Sequence, residues 1–157
     1  MMDGQELADY ITGHLKVQKV NCVRDRRVFA EIPTTEIVGT LQALKEFGMI
    51  HLGAITGLDV GDRFEVIYHL YNNDGVLLSL KTFLSREDPH VPTVTGIFPG
   101  VSMYERELID LFGIMVDGIP HSRRYPLPED WPEGEYPLRK DWKGLPAKKE
   151  VTVDGAN

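Results

Sequence analysis

The residue types best suited to chemistry stand close together, as Glu105, Arg106, Glu107 and Asp110. On a helix, carboxylates spaced i, i+3 lie on one face, where they could share a proton and act as general acid and base. No nucleophile, histidine or metal ligand accompanies them locally, so a reaction centre would lack its other members. A structural reading of the same run is stronger. Glu105 follows Ser102 at the spacing of a reciprocal cap, Arg106 can pair with Asp110 at i, i+4, and acids early in a helix are favoured by its dipole.

A second set of candidates lies further along. Arg123-Arg124 and Arg139-Lys140, interleaved with Tyr125, Trp131, Tyr136 and Trp142, superficially suit a nucleic-acid surface. Asp117, Glu129, Asp130, Glu133, Glu135 and Asp141 are threaded through the same tract and cancel its field. The net charge of the whole chain is −7, which opposes binding by phosphate neutralisation. Extended, proline-restricted backbone carrying Trp, Tyr and Arg is instead what a protein–protein anchor needs, because little entropy is lost on docking. Two dockings fit: a clamp on another subunit, or a tail folded back over its own domain.

Cofactor chemistry finds little support. Cys22 is the only cysteine, whereas a cysteine-ligated iron–sulfur cluster needs about four thiolates. It is expected to be a small buried hydrophobe. His14, His51, His69, His90 and His121 show no metal-ligand spacing, and the glycines build neither G-x-G-x-x-G nor a Walker loop.

The elements that must position these residues follow from the apolar periods. Asp3 with Glu6 signals a cap, and Leu7, Tyr10, Ile11 and Leu15 recur at helical spacing. Short strands are expected around Val17 to Val23 and Arg27 to Ile32, joined at Arg24-Asp25-Arg26. Pro33 to Glu36 opens a second helix with the stripe Ile37, Leu41, Leu44, Phe47 and a stop at Gly48. The period then becomes two. Met49 to Leu58 is interrupted by Gly53 and Gly57, which predict a bulge or a close backbone approach. Phe64, Val66, Tyr68 and Leu70 alternate with Glu65, Ile67, His69 and Tyr71, and Asn72-Asn73-Asp74-Gly75 turns the chain into a strand lined by Val76, Leu78, Leu80 and Thr82.

The order is αββαβββ, a two-layer α+β domain with a mainly antiparallel sheet over residues 1–100, including an extended linker from about 85. A short helix and a proline-rich extended C-terminal arm follow over 101–147, then a mobile tail over 148–157. With 42% hydrophobic residues and no apolar run near the ~18 residues of a membrane span, the chain is expected not to cross a bilayer. Its acidic beginning lacks a signal-peptide pattern, so a cytoplasmic location is expected.

The helix Glu105-Arg106-Glu107…Asp110…Gly113, followed by Arg123-Arg124, Pro128-Glu129-Asp130-Trp131 and Pro137-Leu138-Arg139-Lys140-Asp141, closely resembles the signature of the thirty-kilodalton subunit family of respiratory complex I. The same family serves energy-converting, membrane-bound [NiFe] hydrogenases. The resemblance implies a component without a redox centre that packs beside a large subunit and helps to fix the peripheral arm of an ion-pumping complex on its membrane part. Iron–sulfur clusters, and NiFe in hydrogenases, would sit on partner subunits. It further implies that Glu105, Arg106, Glu107, Asp110, Arg123, Arg124, Trp131, Pro137, Leu138, Arg139 and Lys140 form a structural lock or an interface with another subunit. One position departs from the complex I pattern: Ile119 precedes Pro120 where His is usual, and His121 follows. The departure directs the expectation to the hydrogenase branch, with the corresponding component of an NADH (or other donor):quinone oxidoreductase as the alternative. A stand-alone enzyme and a soluble regulatory module remain as readings from other classes.

Overall fold

The computed structural model describes residues 1–145. Residues 146 and 147 of the expected arm and the expected tail over 148–157 lie outside the described residues. Asp3 opens α1 (Gly4–His14) by accepting the Glu6 N–H at 2.9 Å, and the helix buries Leu7, Ala8 and Ile11. β1 (Lys19–Arg24) and β2 (Arg27–Glu31) form an antiparallel hairpin. A 3₁₀ turn over Thr34–Glu36 leads into α2 (Ile37–Phe47), which Gly48 ends in the left-handed conformation with φ 118°. Phe47, at the end of the expected stripe, is partly buried and stacks on Tyr10 of α1 at 3.7 Å between ring centroids.

β3 (His51–Asp59), β4 (Arg63–Tyr71) and β5 (Leu77–Ser85) form a meander, and the sheet order is β1-β2-β5-β4-β3. Every pairing is antiparallel except β2 with β5. The structure is thus α+β, with helices on one face of a mainly antiparallel sheet. The alternation in β4 sends Phe64, Val66, Tyr68 and Leu70 into the core. Burying each such aliphatic or aromatic side chain contributes about 1.5 to 3 kcal/mol. Asn72 Oδ1 accepts the Val76 N–H at 2.9 Å and tightens the β4–β5 turn.

Both glycines of β3 have the expected consequences. The register against β4 shifts between Leu52 and Ala54, around Gly53. A Cβ at Gly57 would lie 2.8 Å from Phe112 and 2.9 Å from Leu108, so its absence lets the third helix pack directly on the sheet.

The segment expected as an extended linker holds more structure than its prolines suggested. β6 (His90–Pro92) pairs in parallel with β7 (Met115–Asp117), and between them lie a 3₁₀ turn over Pro99–Val101 and α3 (Ser102–Phe112). Val91, Val94, Ile97, Phe98 and Val101 join the same hydrophobic cluster as the sheet. Packing is therefore continuous through residue 100. Cys22, expected to be buried, is only half-buried, because it lies on edge strand β1 with its Sγ against the Arg24 carbonyl at 3.4 Å.

Candidate functional site: an arm locked onto the sheet domain

α3 is the element on which the expected lock residues converge. The reciprocal cap read from Ser102 and Glu105 does not form. Ser102 is already helical, and the N-cap position falls to Val101, which makes no side-chain cap hydrogen bond, because the 3₁₀ turn runs directly into the helix. Glu105 instead turns inward and is 2% exposed. Its two oxygens accept the Val94 N–H at 2.6 Å and the Thr93 hydroxyl at 2.7 Å, tying the segment after β6 to the helix. Burial pushes its carboxyl above the ordinary carboxylate value, against the pull of those two donors.

The expected Arg106–Asp110 pair is also replaced by longer-range partners. Arg106 donates from Nη1 to the Arg123 carbonyl at 3.1 Å and lies over the Tyr125 ring. Asp110, buried, accepts Arg124 Nε at 3.2 Å on one oxygen and the Leu127 N–H at 3.2 Å on the other. Arg124 also donates from Nη1 to the Trp131 carbonyl at 2.6 Å, so one ion pair fixes both ends of the 124–131 segment. Arg123 is exposed and meets Glu129 only at 3.9 Å, a surface contact of little energetic weight. Trp131 donates Nε1–H to the Glu135 carbonyl, and Trp142 donates to the Glu135 carboxylate, both at 2.7 Å.

The Pro137 to Asp141 segment closes on the other end of α3. A helix leaves its last carbonyls without partners. Here the Leu138 N–H donates to Leu111 O at 3.1 Å, and Arg139 Nε donates to Phe112 O at 2.6 Å. A cation at the negative end of the helix dipole is favourable in itself. The Arg139 guanidinium also lies 5.1 Å from the Phe64 ring centroid and 4.6 Å from that of Tyr136. Gly113 makes the approach possible: its φ is 67°, and a Cβ there would lie 2.6 Å from the Tyr136 ring and 2.8 Å from Arg139 Nη2.

The residue that receives the last part of the segment was missed in the sequence. Asp59 closes β3 with a side chain only 1% exposed. It accepts Arg86 Nη1 at 2.7 Å, the Lys140 N–H at 2.8 Å and the Gly61 N–H at 2.9 Å. Burial pushes its pKa up, but Arg86 and the two backbone donors outweigh that and hold it below the ordinary value. Arg86 bridges onward to Asp141 at 2.8 Å. The partners are 27 and 81 residues apart in the chain, and only the Asp59-Val60-Gly61 turn pattern could have hinted at the site.

Of the expected residues, the structure brings Glu105, Arg106, Asp110, Arg124, Trp131, Leu138, Arg139 and the Lys140 backbone into one docking of arm on domain. Pro137 stands with Leu138 at the centre of the turn that the Arg139 N–H closes on the Tyr136 carbonyl at 3.1 Å. Glu107 is half-buried and makes no side-chain hydrogen bond among the described residues. The Leu138 side chain is exposed, as is that of Lys140. Among the described residues no three His, Cys, Asp or Glu side chains are grouped to hold a metal, and no helix is long and apolar enough to cross a membrane.

A family described as "Respiratory-chain NADH dehydrogenase, 30 Kd subunit" matches residues 30–148. The C subunit of NADH-quinone oxidoreductase from Roseiflexus sp. is 46% identical over 80 residues, covering 50% of this chain and 45% of that protein. The J subunit of NAD(P)H-quinone oxidoreductase from Synechococcus sp. is 41% identical over 112 residues, covering 64% and 60%. The C/D subunit of NADH-quinone oxidoreductase from Edwardsiella ictaluri is 48% identical over 87 residues, covering 55% of this chain but 14% of that one. The chain therefore spans less than two thirds of the length of these curated relatives. Among solved structures, a chain of the membrane-bound sulfane sulfur reductase, an archaeal respiratory membrane complex, superposes with a TM-score of 0.80 at 27% identity, covering 90% of this chain and 85% of that one. A trypsin-resistant fragment of Nqo5 superposes with a TM-score of 0.59 at 27% identity, covering 66% and 89%.

Proposed function

Because the chain belongs to the respiratory-chain NADH dehydrogenase 30 Kd subunit family, we propose that it is a hydrophilic component, itself without a redox cofactor, of a membrane-bound, complex-I-related, ion-pumping electron-transfer complex. It packs beside the large catalytic subunit on the cytoplasmic side and supports assembly of the peripheral arm. Iron–sulfur clusters, and NiFe where present, belong to partner subunits, since a single cysteine cannot supply a cluster's thiolates.

The observation that carries this reading is the double anchoring of α3, through Asp110–Arg124 and through Arg139 on the Phe112 carbonyl. Those contacts use the signature residues to hold a proline-rich arm in one shape. A surface fixed in advance binds a partner without the ordering cost that a loose arm would incur. Ile119 in place of His supports the energy-converting [NiFe] hydrogenase branch. The names of the curated relatives favour a second reading, the C subunit of a quinone oxidoreductase. Metal analysis separates the two branches: the complex is isolated from detergent-solubilised membranes through a tag on this chain. Nickel bound to a large subunit with paired Cys-x-x-Cys motifs supports the hydrogenase branch. A large subunit lacking both nickel and those cysteines overturns it.

A further inference from the structure

All three helices and the docked arm lie on one face of the five-stranded sheet; among the described residues nothing lies over the other. Antiparallel sheets often leave one face to water, so openness alone means little. Composition sets this face apart. Phe29 is 46%, Leu58 41% and Tyr71 42% exposed, on three different strands, and Phe83 lies beneath the guanidinium of Arg63 at 4.2 Å. The register puts the cations Lys19, Arg27, Arg63 and Lys81 on the same face, where only the carboxylates Glu31 and Glu65 oppose them. Lys81 and Glu65 already pair with each other at 3.1 Å. Surplus positive charge thus collects on one side of a chain whose net charge is −7.

We propose that this open face docks an acidic protein surface of another subunit, separately from the arm and α3. The inference rests on the reading of the chain as part of a larger complex. A groove of about 200 Å³, bordered by Lys19, Asn21, Phe29, Glu31, Ser79 and Lys81, offers a seat for one partner side chain. A carboxylate entering there meets the Lys19 ammonium and the Asn21 amide, beside Glu31 and the Lys81 that Glu65 already pairs, while the Phe29 ring supplies the apolar contact that interface centres use. Nucleic acid would bring the same charge, but the acidity of the rest of the molecule opposes a polyanion far longer than the groove. His69 is not free to serve the partner: its ring nitrogens lie 3.1 Å from Thr56 Oγ1 and 3.3 Å from Ser79 Oγ.

The test places a photoactivatable phenylalanine analogue at position 29 of the full, tagged chain and irradiates the intact, detergent-solubilised complex. The expected result is a cross-link to a different subunit, at a peptide rich in Asp or Glu, whose yield falls about tenfold when Lys19→Glu and Arg27→Glu are added. The same analogue at Val38, exposed on α2, should show no such dependence. If the charge reversals disturb the fold, as seen by circular dichroism, Lys19→Gln with Arg27→Gln takes their place, with a drop of about threefold expected. Cross-links confined to a second copy of this chain, to its own residues 146–157, to nucleic acid or to lipid would overturn the proposal, as would no cross-link or a yield indifferent to charge. Failure of the unaltered chain to co-purify with any membrane complex would remove the proposed function and this inference together; charge-indifferent cross-linking within a purified complex would remove this inference alone.

Discussion

Asp59 and Arg86 meet at 2.7 Å at the end of β3, and the carboxylate is buried while the guanidinium keeps partial contact with water. Through the second Asp59 oxygen and the second Arg86 nitrogen this pair holds Lys140 and Asp141, so the Pro137 to Asp141 signature is fastened to the sheet as well as to α3. The lock is a relay: sheet edge, guanidinium, arm.

Asp59→Asn should weaken the fold and loosen the arm. Losing one member of a buried pair costs about 3 to 5 kcal/mol, but Arg86 retains Asp141 and water, so about 2 kcal/mol is expected here. Urea denaturation gives the loss directly. Limited proteolysis should show faster cleavage between residues 124 and 145 than in the unaltered chain. Unchanged cleavage would separate the pair from the arm.

The same pair sets an acid limit. A carboxyl whose folded pKa is held low contributes stability that is present above its ordinary value of 3.8 and is lost as pH falls through the folded pKa. As pH falls below 3.8 the unaltered chain should therefore lose more stability than Asp59→Asn. Parallel losses in the two proteins would contradict the assignment.

Glu105 has the opposite sign. Its folded pKa is raised by burial, so the ionised group carries a penalty above that pKa which disappears as pH falls below the ordinary value of 4.5. Gln at this position can still accept from the Val94 N–H and donate to Thr93. Glu105→Gln should match or exceed the unaltered stability at pH 7, with the gap closing towards pH 4. Glu105→Ala, which leaves both donors without an acceptor, should cost about 2 to 3 kcal/mol. Urea midpoints at the two pH values decide.

Much of this fold is legible because its determinants are local. Asp3 and Gly48 cap helices through neighbours within a turn, and β4 and the Asn72 to Gly75 turn carry period and turn chemistry in adjacent residues. The lock is legible only in its members. Arithmetic at i, i+4 paired Arg106 with Asp110, yet Asp110 takes Arg124 and Arg106 takes a carbonyl of the arm. A folded chain offered both residues better-placed partners than their helical neighbours. Ser102 misled for a related reason: a 3₁₀ turn fed by Pro99 already occupied the place of a cap.

Arg139→Ala is expected to cost about 1 to 2 kcal/mol, since its partner is the Phe112 carbonyl rather than a carboxylate and its remaining contacts are with rings. Arg139→Lys should recover part of that loss, because an ammonium still reaches the helix end but does not stack as a plane. Thermal unfolding of the three proteins tests the order. A loss near zero for Arg139→Ala would remove it from the lock.

Thr82 is fully buried, and its hydroxyl has no hydrogen-bond partner among the described residues. Thr82→Val keeps the shape and removes the unpaired group, so the fold should gain about 1 kcal/mol. Destabilisation on that change would reveal a partner for the hydroxyl.

On the proposed function this chain works as a fixed part of a larger membrane complex. Native gel electrophoresis of detergent-solubilised membranes, probed for this chain, tests it most directly. A single high-mass band that contains a large catalytic subunit in equal amount is expected, and a weaker band when Asp59→Asn and Arg139→Ala are combined. A chain that runs alone at its own 17.7 kDa, with none in the membrane fraction, would contradict it.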